Sequence, residues 1–256
     1  MQVVILVGGE GTRMAGEGQH LPKPMIAIGG RPILWHIMKH YDAFGYRDFI
    51  LCLGHKGDVI RDYFLNYMSR IGDATINTRT GEVRASSDHV AEDWNVNLVE
   101  TGEHTGTGGR IKRIERYIVG DSDFLVTYGD SLSDVPIDKV VAYHQSMRLT
   151  GTMCVMHSNQ RFGHADVVNG RVTNFIEKPK NTTDWINGGF YVFQQNVFSY
   201  LEADGSLEYG PLGCLASKRQ LAAYEHLGCH RAMDTPRDVK ALNEEWEAGN
   251  AEWKIW

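Results

Sequence analysis

The run Val3-Val-Ile-Leu-Val7, closed by Gly8-Gly9, constrains this chain more than any other feature. Five consecutive β-branched or aliphatic residues without polar alternation must be covered on both faces, as in a parallel sheet layered by helices. The neighbouring segments agree. Pro32 to Phe44 carries Ile33, Leu34, Ile37, Met38 and Tyr41 at helical spacing, with Pro32 suited to the first turn and Gly45 to the stop. Phe49 to Leu53 reads as a second buried strand. Val59 to Met68 reads as a second helix, its stripe formed by Val59, Ile60, Tyr63, Phe64 and Tyr67. Strands alternating with helices imply parallel strands joined by crossovers, an α/β architecture.

The polar stretch 71–95 lacks strong periodicity and reads as an insertion of weak hairpins or loop. Further strands are predicted at Val96 to Val99, Phe124 to Tyr128, Thr152 to Met156 and Gly189 to Phe193. Helices are predicted at Arg110 to Ile118, at Ile137 to Met147, after Asn196, after Pro211, and from Pro236 to Glu247 within a C-terminal helix and tail over 236–256. Asn169-Gly170 between alternating segments signals a hairpin. With no repeat, low-complexity tract or linker, residues 1–256 are read as one domain.

Charge and cysteine usage narrow the class. A net charge of −6 offers no basic footprint for nucleic acid. Cys52, Cys154, Cys214 and Cys229 are scattered without a C-x-x-C pair, so reduced thiols are expected rather than a disulfide framework or zinc site. The run Val3 to Val7 is too short to cross a membrane and no basic segment precedes it; a soluble, cytoplasmic protein is the expectation.

Chemistry gathers at strand ends. The first strand runs into Gly8-Gly9-Glu10-Gly11-Thr12-Arg13, where amides free of Cβ obstruction and a guanidinium suit a polyphosphate. The glycines alone are also compatible with a plain tight turn, and neither the P-loop nor the G-x-G-x-x-G pattern is present. Pro22-Lys23-Pro24 holds a lysine between two residues of fixed φ. Phe124 to Asp130 is an apolar strand ending in a carboxylate, suited either to capping the next turn or to Mg²⁺. Glu177-Lys178 follows another apolar segment. Asp234 precedes the last helix, where local sequence favours a cap. His36 and His40 share a helix face but lack a metal motif, and Ser131 and Ser158 lack a nucleophile elbow. Trp246, Trp253 and Trp256 suit packing or subunit contact.

Taken in order, these pieces resemble the sugar-phosphate nucleotidyltransferase family, along nearly the whole chain. The likeness rests on Gly8 to Arg13, Pro22 to Pro24, Ile28 to Met38, Glu100 to Gly102, Thr107 to Arg110 and Tyr128 to Asp130. It continues through Arg161 to Gly163, Glu177 to Pro179, Ile186 to Phe190 and Met233 to Thr235. The resemblance implies a Rossmann-like, mixed but mostly parallel sheet flanked by helices, with a smaller β-rich sugar-side region. It implies transfer of a cytidylyl group from CTP to a phosphorylated acceptor, glucose 1-phosphate, with Mg²⁺ as cofactor, in a homo-oligomer without nucleic-acid or membrane partners.

By position, the resemblance assigns Leu6, Gly8, Gly9, Gly11, Thr12, Arg13, Lys23, Thr107, Gly108, Gly109 and Arg110 to the nucleotide. Arg13 and Lys23 are the catalytic cations, Arg13 on the β and γ phosphates and Lys23 at the α-phosphate. Tyr128, Glu177, Lys178, Asn187 and Gly188 fall to the sugar phosphate, and Asp130 and Asp234 to the metal. The chain departs from the pattern at Leu21, Ser131, Gly210 and Cys229-His230. All but Leu21 lie on the acceptor side. These departures leave room for a different sugar 1-phosphate or a non-sugar phosphate as acceptor. A non-catalytic nucleotide-binding regulator is the alternative from another class.

Overall fold

The computed structural model describes residues 1–11, 21–85, 91–120, 123–157, 164–168, 171–176 and 185–256, with the backbone alone at 85, 164–168 and 171–176. Seven strands form the central sheet: β1 (Val3–Leu6), β2 (Asp48–Leu53), β3 (Asn95–Glu100), β4 (Phe124–Tyr128), β5 (Gly151–His157), β6 (Trp185–Phe193) and β7 (Leu221–His226). Their spatial order is β7-β5-β6-β4-β1-β2-β3. Strand β6 is antiparallel to both neighbours, and every other pairing is parallel. The sheet is therefore mixed, with one strand reversed.

Helices α1 (Ile33–Asp42), α2 (Gly57–Leu65), α3 (Tyr67–Ile71), α4 (Thr107–Arg113), α5 (Ile137–Met147), α6 (Pro211–Ser217) and α7 (Pro236–Glu247) accompany the sheet. Strand β1 shows why its sequence does not alternate. Val3 and Ile5 enter the core shared with α1, α2 and α5, while Val4 and Leu6 enter the opposite core with α4 and α6. Each fully buried aliphatic side chain contributes roughly 1.5–3 kcal/mol. Trp253 is buried in the first core, and Gly29 meets the indole of Trp246, so the C-terminal tryptophans pack onto their own chain. All four cysteines are free.

Boundaries differ from expectation in three places. The helix expected over Val59 to Met68 breaks at Asn66, whose amide side chain bonds the Asp62 carbonyl and carboxylate at 3.0 and 2.8 Å. Helix α4 starts at Thr107 rather than Arg110 and yields to a 3₁₀ turn at Glu115–Tyr117. Gly108 and Gly109 obscured that start, because glycine lowers helix propensity by about 1 kcal/mol. A 3₁₀ segment, Gln195–Tyr200, stands where a helix was expected after Asn196.

The polar stretch holds a small ribbon, Ala74–Ile76 against Val83–Ala85. The strands expected around Asn169-Gly170 pair as His164–Val168 with Arg171–Ile176, the turn itself lying outside the described residues. Among the described residues no helix is long and apolar enough to cross a membrane.

From β1 the chain proceeds to β2 and β3 on one side, then returns to β4 on the other. Strand order thus reverses between β1 and β4, and ligands of open α/β sheets bind in the crevice opened there.

Candidate active site

Gly8, at the end of β1, is fixed from behind. Its carbonyl accepts from the His55 amide at 3.1 Å and from Arg110 Nη2 at 2.8 Å. A Cβ on Gly8 would lie 2.2 Å from Arg110 Nη1 and 2.9 Å from the Gly54 amide nitrogen, so no side chain fits. Gly11 follows at φ +61°, in the left-handed region. Thr12 and Arg13 lie outside the described residues.

Arg110 is buried and its donors are committed to the protein. Nη1 donates to Leu53 O, Thr101 Oγ1 and Gly102 O at 3.0, 2.8 and 2.7 Å; Nη2 donates to Gly8 O and to Glu103 O at 3.1 Å. The guanidinium therefore ties the ends of β1, β2 and β3 together beneath the glycine turn. Burial lowers its pKa from the usual arginine value. Sequence reading assigned it to the nucleotide; it does line the cleft, and its Nη1 and Nη2 also donate to carbonyl and hydroxyl oxygens of the protein, which only tertiary contacts reveal.

Lys23 opens a 3₁₀ turn, Lys23–Met25, between the extended Pro22 and the buried Pro24. Its ammonium lies 2.6 Å from Asp130 Oδ2 and 2.8 Å from Asp234 Oδ1. Asp130 follows Gly129, whose amide donates to Leu6 O at 3.1 Å and so binds the end of β4 to β1. The Asp130 carbonyl accepts from the Met233 amide at 2.9 Å, which brings Asp234 alongside. The cap expected of Asp234 is made by Thr235 instead. Thr235 and Asp238 form a reciprocal capping box at the start of α7, leaving the Asp234 carboxylate to Lys23.

One open cleft of about 350 Å³ collects much of the expected site. Leu6, Gly8, Gly9, Gly11, Lys23, Thr107, Arg110, Tyr128, Asp130 and Asp234 line it. Gly108 and Gly109 turn away. Cβ atoms there would meet Gly205 O at 3.0 Å and Ala203 O at 2.5 Å, so the glycines allow α4 to seat against residues 203–205. Asn187 and Gly188 are on β6. Asn187 Nδ2 donates to Tyr191 Oη at 2.5 Å, and a Cβ on Gly188 would press on Met156. Glu177 and Lys178 lie outside the described residues.

Sequence reading missed Glu208. Its carboxylate accepts from Thr107 Oγ1 and Ser206 Oγ, both at 2.5 Å, and from the hydroxyl of Tyr128. Burial opposes the charge, but those three donors outweigh it and hold the carboxyl below the ordinary glutamate pKa. Tyr128 in turn meets Tyr191 at 3.0 Å, so one polar chain runs from α4 to Asn187. At Gly210, where the chain departs from the pattern it resembles, the backbone stands at φ +124°. The carboxylate that contacts the cleft residues Thr107 and Tyr128 stands two residues earlier, in an unpatterned loop.

A glycine turn, a lysine and two carboxylates thus meet in one cleft at the reversal point of a mixed α/β sheet. The chain belongs to the nucleotidyl transferase family, whose model matches residues 2–235. It is similar to the glucose-1-phosphate cytidylyltransferase of Salmonella typhi, at 43% identity over 100% of both chains. The same enzyme of Salmonella typhimurium matches at 43% identity, again over 100% of both. Among solved structures, HddC from Yersinia pseudotuberculosis in complex with GMP-PN shares the fold. It matches with a TM-score of 0.69 and 24% identity, over 96% of this chain and 99% of that one.

Proposed function

We infer that this protein transfers the cytidylyl group of CTP to glucose 1-phosphate, giving CDP-glucose and diphosphate. Full-length relatives that carry this activity in their names support the nucleotide and the acceptor. The observation that carries the chemistry is the meeting of Lys23 with Asp130 and Asp234 beside the glycine turn. An acceptor phosphate oxygen attacks the α-phosphorus, and the bond from that phosphorus to the bridging oxygen breaks as diphosphate leaves. The acceptor is anionic at neutral pH, so it needs no general base. The work is alignment and charge stabilisation.

In this reading the backbone from Gly8 to Thr12 holds the triphosphate, with Arg13 on its outer phosphates and Lys23 at the α-phosphate. Thr107 flanks the base. Tyr128, Glu177, Lys178, Asn187 and Gly188 serve the sugar phosphate. Gly108, Gly109 and Arg110 act by shaping the cleft, as their packing and hydrogen bonds support.

Asp130 and Asp234 fit Mg²⁺, since two carboxylate oxygens already converge on one cationic atom. Magnesium takes one or two carboxylates and completes its shell with substrate phosphates and water. When bound, it neutralises charge on the reacting phosphates. A cytoplasmic homo-oligomer belongs to the same reading and rests on the family resemblance.

Diphosphate release tests the proposal, with CTP, UTP and dTTP each offered against a panel of sugar 1-phosphates. CTP with glucose 1-phosphate is expected to turn over fastest; turnover confined to another base overturns the cytidylyl assignment. A different phosphorylated acceptor is the second reading. Ser131 and His230 favour it, because both depart from the family pattern and sit on the ribbon, Ser131–Ser133 with His230–Ala232, that adjoins the two aspartates.

A further inference from the structure

Two demands fall on Lys23, and they conflict. The proposed chemistry wants its ammonium on the α-phosphate and a divalent cation between Asp130 and Asp234. In the structure the ammonium itself lies between the carboxylates, 2.6 and 2.8 Å from one oxygen of each. A divalent ion bound to those same oxygens would stand within a few ångströms of Lys23 Nζ, where two cations repel strongly. The two therefore compete for those oxygens.

We propose that Lys23 is the resident cation of the aspartate pair. It keeps divalent metal out until a nucleotide triphosphate draws the ammonium away, so that metal enters with the nucleotide and not before it. This rests on the metal assignment above and adds the order in which the cations exchange.

The local structure suits such an exchange. Pro22 and Pro24 fix the backbone on either side, while the lysine stem turns about four single bonds. The ammonium can therefore travel by side-chain rotation alone. The aspartates are held independently of it, Asp130 through its carbonyl to the Met233 amide and Asp234 through its amide to Asp238 Oδ2 at 3.0 Å. They stay in place as the lysine leaves. The lysine also offsets the repulsion between the two carboxylates, which lie 107 and 211 positions from it in sequence.

The test is direct metal binding, read from the electron paramagnetic resonance signal of free Mn²⁺. Nucleotide-free wild-type protein is expected to take up Mn²⁺ about ten- to a hundredfold more weakly than Lys23→Met. That is the lower part of the roughly ten- to thousandfold range by which one neighbouring charge alters a carboxylate's affinity for a cation such as the proton. Adding CTP to the wild type should tighten Mn²⁺ uptake beyond that of CTP alone, and Asp130→Asn should abolish the gain.

Thermal melts establish that each variant folds, and Lys23→Gln, which retains a donor to one carboxylate, replaces the methionine variant if it does not. Equal Mn²⁺ affinity of nucleotide-free wild type and either lysine variant overturns the exchange. If Asp130→Asn still removes the CTP-dependent uptake, the metal site survives that failure. If Asp130→Asn changes nothing, the metal assignment falls as well.

Discussion

Arg110→Met exposes how much of the cleft depends on one saturated guanidinium. Five oxygens surround it, at 2.7 to 3.1 Å. Three keep other partners after its removal: Gly8 O retains the His55 amide, Leu53 O retains the Thr101 amide and hydroxyl, and Thr101 Oγ1 is itself a donor. Gly102 O and Glu103 O lose their bond to Arg110; Glu103 is exposed and water can replace that bond, while the partly buried Gly102 O left unsatisfied costs about 1–3 kcal/mol. With the packing of the buried stem, the expected loss is about 3–5 kcal/mol, a large share of the roughly 5–15 kcal/mol that holds a domain folded.

Urea unfolding measures that loss, and a cycle with Gly8→Ala isolates its cause. In the wild type the new methyl collides with Arg110 Nη1 at 2.2 Å; with methionine at 110 that collision becomes a soft one against a flexible chain, although the Gly54 amide at 2.9 Å remains. Gly8→Ala should therefore cost at least about 1 kcal/mol less in the Arg110→Met background, the coupling expected of residues in contact. Strict additivity, or a single-variant loss below about 1 kcal/mol, would refute the view of Arg110 as the clamp of the glycine turn.

Lys23→Ala should lower kcat by about 10²–10³ with a smaller change in KM for CTP, as for other oriented stabilisers of developing charge; steady-state kinetics decide, and unchanged turnover removes Lys23 from the chemistry. Glu208→Gln should cost about 1–3 kcal/mol, seen as a lower urea midpoint, because an amide nitrogen cannot accept from all three hydroxyls that now converge on the carboxylate. His36 and His40 are buried as neutral rings, and burial lowers each pKa from 6.5 to about 4. The unfolded chain therefore binds more protons between those values, so stability is complete above about pH 6.5 and declines as pH falls toward 4, by up to about 3 kcal/mol per histidine. Urea midpoints that stay level from pH 7 to 5 would contradict this.

The sheet was legible because strands buried on both faces are written without alternation; Val3 to Val7 and Phe49 to Leu53 announce the layered architecture locally. Lys23 and Asp130 were legible for a related reason, each standing at an abrupt change from apolar or proline-fixed sequence to charge. What could not be read were matters of partnership. Asp234 looked like a cap because it precedes Thr235-Pro236, and only the bond from Asp238 back to Thr235 shows the cap to be complete without it. The part of Arg110 in holding the strand ends together could not be read because four of its five acceptors are backbone oxygens, which carry no mark in sequence. Glu208 passed unnoticed because its three donors lie on different segments, 101, 80 and 2 residues away.

Reversal of β6 has a consequence for how such a molecule diversifies. Chain leaves the sheet at His157 and rejoins it at Trp185, directly opposite, so the intervening stretch departs from and returns to the same rim. Lengthening or rewriting that excursion shifts no pairing of the central sheet, and the entropy of closing a loop grows only slowly with its length. In the proposed reading, which gives Glu177 and Lys178 to the sugar phosphate, acceptor choice is therefore open to change by editing one appendage while the central sheet is kept.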